Sequence, residues 1–223
     1  MWQQLYDSLK DRNFMVVAVA QDSRADAARP WIEQARPTYW SLVDSEHRVS
    51  SLYGMVNVPR AVWIDEAGRI VRPPETAGST DHFRRMDART LTMSAEDQAA
   101  RDKGKAVYVE AVRDWVTTGR HALAADAARA RLPQVTPDIA LAHAHFRLGV
   151  WLKRHDRVEE GARHMTEAVR LHPDSWSMWR QAADVGESGL AAGPAFWERV
   201  HALGDKPYHP PPDIPGFPGE VKR

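Results

Sequence analysis

The chain has 223 residues, with 30 basic and 30 acidic side chains, no cysteine, and 43% hydrophobic residues, enough for a substantial core. The balanced charge argues against nucleic-acid binding, which shows as a basic excess or stripe, and no apolar run nears the ~18 residues needed to cross a bilayer. The missing thiols exclude disulfides, cysteine-ligated zinc and cysteine nucleophiles together.

Trp2, Leu5, Tyr6 and Leu9 recur at helical spacing and predict a helix over 2–12. Phe14–Ala20 is a short apolar run rich in β-branched residues, the pattern of a strand covered on both faces. Asp22 and Ser23 can cap a helix over 24–36, Tyr39–Val43 reads as a strand, and Asp44 or Ser45 caps a helix ending near Gly54. Ala61–Asp65 and Arg69–Arg72 flank Glu66-Ala67-Gly68, a hairpin turn in which Gly68 supplies positive φ. The order α, β, α, β, α, β, β predicts an α/β domain over 1–72.

Residues 73–93, with Pro73-Pro74 and Gly78-Ser79-Thr80, read as a linker with a short helix at 81–87. Helices are predicted over 94–118, 121–131, 137–154, 157–171, 175–185 and 194–203, an all-α domain spanning 94–205. The tail, 206–223, is too proline-rich for helix or central strand and is expected to be extended, loose or laid across the helices. The fold class is therefore α/β followed by all-α.

Leu5-Tyr6 ahead of Phe14–Ala20, then Leu52-Tyr53-Gly54, Val58-Pro59 and Trp63-Ile64-Asp65 before Gly68-Arg69-Ile70-Val71, make a combined pattern. It resembles the later part of a thioredoxin-like domain, closest to the TlpA/ResA-type thiol–disulfide oxidoreductases and the peroxiredoxin-related redoxins. The resemblance implies that Pro59 is a cis proline opposite the active cysteines and that Val58 and Pro59 help to seat a substrate. Taken alone, Pro59 also fits a plain turn proline after a helix. Arg60 departs from the small or hydroxylic residue often found at that place.

The resemblance further implies a strand and a Cys-x-x-Cys motif ahead of the first helix. That strand would be central, between those matching Phe14–Ala20 and Ala61–Asp65. Either the protein starts upstream of Met1, or the domain is reduced and has repaired the gap. As written the chain cannot perform thiol chemistry, because disulfide exchange needs a thiolate.

In the helical half, Leu148-Gly149, Leu152, Gly161, Met165, Ala168 and Pro173 stand at spacings that let two antiparallel helices approach closely before proline stops the second. Residues 142–175 resemble one tetratricopeptide repeat, with degenerate or capping units at about 108–141 and 176–204. The resemblance implies a peptide-binding face lined by His143, Phe146, Val150 and Lys153. Phe146 and Val150 equally suit a helix core, and a generic helical hairpin bundle remains the alternative to a repeat.

Other constellations carry little. His143 and His145 point to different helix faces, His164 and His172 lack a carboxylate at ligand spacing, and no H-E-x-x-H occurs, so no metal is expected. No cofactor motif is present, and Gly186-Glu187-Ser188-Gly189 lacks the flanking strand that a phosphate loop or nucleophile elbow needs. The resulting expectation is a non-catalytic protein-interaction module that binds a protein or peptide, with no nucleic acid, membrane or cofactor. The alternative is the downstream portion of a thiol–disulfide oxidoreductase or redoxin whose cysteines lie upstream of Met1. A third reading is a homo-oligomeric scaffold that associates through its helices and tail. Met1-Trp2-Gln3-Gln4 does not open a signal peptide, which makes the chain as written cytoplasmic; an upstream signal segment would make it extracytoplasmic.

Overall fold

The computed structural model describes residues 1–24, 26–87, 90–183 and 193–219. It is mixed α/β, with two compact units, each assembled from separated stretches of chain. One comprises Met1–Phe14, Pro59–Arg131 and the described residues of 193–219; the other comprises Met15–Val58 and 132–183. The chain is therefore not divided along its length at residues 72 and 93. Among the described residues the four strands form two separate two-stranded sheets rather than one layer.

In the first unit, α1 (Trp2–Leu9) buries Leu5 and Leu9. β3 (Arg60–Ile64) and β4 (Ile70–Thr76) form the predicted antiparallel hairpin. Gly68 takes φ 76°, and the Asp65 carboxylate accepts the Ala67 and Arg69 backbone N–H groups at 3.0 and 2.9 Å. β4 continues through Pro73 and Pro74, which the linker reading had placed outside any strand. The register explains how. Ala61 faces Glu75 and Trp63 faces Arg72, so Val62 stands opposite both prolines in a bulge, where a missing N–H costs no ladder bond.

α4 (Ala95–Thr118) is capped by Ser94, whose hydroxyl accepts from Asp97 N at 3.1 Å and donates to its carboxylate at 2.8 Å. It presents the fully buried Tyr108, whose hydroxyl accepts from Trp63 Nε1 at 2.8 Å, while Trp63 stacks on Trp115. α5 (Ala125–Ala130) and α9 (Pro194–His201) are shorter than predicted. Asp81–Arg85 is a single 3₁₀ turn where a short helix was expected. Its Asp81 accepts the Tyr208 and His209 backbone N–H groups at 2.8 and 2.6 Å, and its Arg84 donates to the Gly204 carbonyl at 2.8 Å. These bonds lay the proline-rich tail on this unit.

In the second unit, β1 (Val17–Ala20) pairs in parallel with β2 (Trp40–Val43). α2 (Arg29–Ala35) starts later than Asp22 or Ser23 would set it, because Asp22 accepts from Arg24 N and its guanidinium instead. The N-cap of α3 (Arg48–Tyr53) is His47 rather than Asp44 or Ser45, but the Asp44 carboxylate accepts the first two helical N–H groups, those of Arg48 and Val49, at 3.0 and 2.7 Å. α6 (Pro137–Arg154) and α7 (Val158–Leu171) form an antiparallel hairpin, followed by α8 (Trp176–Ala182). The predicted end of that last helix and Gly186-Glu187-Ser188-Gly189 lie outside the described residues.

Gly149 and Gly161 set the hairpin's spacing. A Cβ on Gly149 would stand 2.9 Å from the Gly161 carbonyl oxygen, and one on Gly161 would stand 2.7 Å from that of Gly149. No larger residue fits at either position without separating the helices.

Candidate functional site

The parallel pair leaves a large apolar surface uncovered. Val17 lies opposite Trp40 and Val19 opposite Leu42, so these four share one face of the sheet. Val17, Trp40 and Leu42 are 55%, 62% and 47% exposed. Parallel strands are ordinarily covered on both faces, and a contiguous apolar patch on a folded chain marks a surface that meets something else. The loops that follow the two strands are fixed. Arg154 Nη2 donates to the carbonyls of Ser23 and Ser45 at 3.1 and 2.9 Å, and Ser23 Oγ donates to Gln181 Oε1. The strands are thus anchored at their C-terminal ends while the Val17–Trp40 face stays open.

The residues expected to line a peptide groove separate. Phe146 and Val150, 1% and 5% exposed, belong to a core cluster with Ala142, Met165, Ala168 and Met178. Lys153 is exposed, and His143 is half-buried beside His172. Burial holds both histidines below their ordinary pKa, with each other's proximity adding to the effect on His143. Val58 and Pro59 are exposed where the chain passes from one unit to the other, and the sequence supplies no thiol for them to accompany.

His47 escaped the sequence reading, since a lone histidine between Glu46 and Arg48 looks like surface. It is buried, packs edge-on against Phe146 at 5.1 Å, and has no hydrogen-bond partner for either ring nitrogen among the described residues. Burial lowers its pKa from 6.5; Asp44 and Asp22 oppose that shift and Arg154 adds to it. The folded ring therefore resists a proton that the unfolded chain accepts. Stability is expected to be full above pH 6.5 and to fall as pH drops from there towards the folded-state value. Urea midpoints at pH 7.5 and 5.5 should differ, and His47→Asn, which tolerates the left-handed φ of 55° here, should shrink the difference. Equal midpoints for the unsubstituted protein would contradict this.

His145 and His164 meet across the α6–α7 hairpin with their Nδ1 atoms 2.8 Å apart, a pairing invisible to spacing within one helix. Among the described residues, no group of three or more histidine, aspartate or glutamate side chains is placed to hold a metal ion. No helix among them is long and apolar enough to cross a membrane.

The first unit contains a cavity of about 230 Å³ between β4 and the tail, walled by prolines of both and by Leu123. Four charged residues reach it, namely Arg60, Glu75, Arg131 and Asp213. No protein-family model, curated protein or solved structure matches the chain.

Proposed function

We propose that the chain is a non-catalytic interaction module whose second unit binds a protein partner over the β1–β2 sheet. The observation that carries this reading is the apolar face on which Val17, Trp40 and Leu42 are exposed beside the half-buried Val19, on strands fixed in place by Arg154. Covering such a face removes apolar area from water at about 25 cal/mol per Å², a driving force that the isolated chain leaves unused. Peptide recognition through the Phe146 side of the α6–α7 hairpin gains less support, because Phe146 and Val150 are already packed inside.

The test is the double substitution Trp40→Ser with Leu42→Ser. Both side chains are exposed, so thermal stability is expected to change by no more than ~0.5 kcal/mol per site. Photo-crosslinking from Val17 in extracts of the source cells should yield a defined partner adduct, and the double substitution should abolish it. Equal adduct yields in both proteins would refute the reading.

A further inference from the structure

We propose that the proline-walled cavity of the first unit binds the carboxylate of a small organic acid, with Arg60 as the residue that pairs with it. The four charges that line the cavity are two arginines and two carboxylates, but the buried Arg72 beside it adds a third arginine that draws on both acids. Arg72 grips both oxygens of Glu75 at 2.8 Å and reaches Asp213 Oδ1 at 2.6 Å, and Arg131 takes Asp213 Oδ2 at 2.7 Å. Both acids are thereby committed to other arginines. Arg60 forms no ion pair among the described residues; its Nη1 makes a long 3.4 Å bond to the Pro74 carbonyl, and its Nε is buried without a partner.

A guanidinium taken partly out of water with no carboxylate in direct contact carries a desolvation cost that an arriving anion would offset. Burial also pulls the Arg60 pKa down, with Glu75 alone acting against it. A carboxylate suits the terminal nitrogens of the guanidinium, which form strong charge-assisted bonds to its oxygens, while the enclosed Nε reports on that contact without making it.

The walls define the rest of the ligand. Five of the ten lining residues are prolines, which have rings to cover an apolar body but no N–H to hold an anion, so recognition falls to the guanidinium. A volume of about 230 Å³ lies below the ~300–1,000 Å³ usual for drug-sized ligands, which limits the body to a short chain or one ring. A free acid and the C-terminal carboxylate of a peptide both present this chemistry.

The experiment is a titration of the full-length protein with arginine Nε labelled by ¹⁵N, at constant ionic strength. The probes are propionate and benzoate, their amides, and acetyl-Gly-Val with a free or amidated C-terminus. The Arg60 Nε–H signal is expected to move saturably with an acid and to stay fixed with the matching amide. Tighter saturation by the small acids identifies a free acid as ligand, and tighter saturation by the free-ended peptide identifies a chain terminus. Arg60→Gln should weaken binding at least tenfold. Leu123→Trp, which keeps Arg60 and fills the space, should weaken it similarly. Equal responses to acids and amides, no saturation with any acid, or unchanged affinity in both variants would overturn the proposal.

Discussion

Replacing Arg72 by methionine is expected to destabilise the first unit by ~3–5 kcal/mol, the usual consequence of removing one partner from a buried ion pair. The side chain is 2% exposed and spends its donors on three separate stretches of chain: Glu75 within β4, the His121 carbonyl after α4 at 2.9 Å, and Asp213 in the tail. Its guanidinium also lies 5.3 Å from the ring centroid of Trp63, directly across the hairpin. Burial works against its charged form, but Glu75 and Asp213 outweigh that and leave its pKa above the ordinary arginine value. Methionine keeps the apolar stem and deletes the charge, so the loss falls on Glu75, which is mostly buried; Asp213 is half-exposed and retains Arg131. Adding Glu75→Gln to Arg72→Met should then recover more than ~1 kcal/mol, as interacting sites do in a double-mutant cycle. Urea unfolding of the four proteins measures both numbers. A single-variant loss under ~1 kcal/mol would show that Arg72 does not join these segments.

What was legible in the sequence was local. The α6–α7 hairpin shows in Gly149, Gly161, Met165 and Ala168, because close helix approach needs small residues at a 3.6-residue period. The β3–β4 turn shows in Glu66-Ala67-Gly68, because the positive φ of Gly68 is a requirement within the turn itself; the Asp65 carboxylate that also holds the turn did not show. The assignment of strands to units was not legible. Trp63 meets Tyr108 forty-five residues later, and no periodicity encodes that choice. Pro73-Pro74 reads as a break because proline lacks an N–H; the bulge opposite Val62 makes that lack harmless. Arg60 stood out only as a departure from a pattern. Its significance depends on Glu75 and Asp213 being claimed by Arg72 and Arg131, which only the packed tail brings about. The open face of β1 and β2 was hidden for the opposite reason: an apolar run predicts a covered strand, and here the cover is missing among the described residues.

Phe146→Ala is expected to cost ~3–5 kcal/mol in the second unit, since it deletes a fully buried ring and leaves a cavity that rigid helices close only partly. The ring is surrounded by Val150, Met165 and Met178, and the Gly149–Gly161 contact already holds α6 and α7 at their closest approach. His47 loses part of its burial in the same step, so its folded-state pKa should move back towards the ordinary value and the variant's stability should fall less steeply below pH 6.5. Phe146→Met refills most of the volume and should cost under ~1.5 kcal/mol. Lys153→Ala, at an exposed position on the same helix, should stay within ~0.5 kcal/mol. This ordering separates the two roles that helical spacing allows for Phe146. A core residue loses stability in proportion to the volume removed. A groove residue would leave the unfolding midpoint in place and weaken only a bound peptide, which is the result that would restore Phe146 to the binding surface.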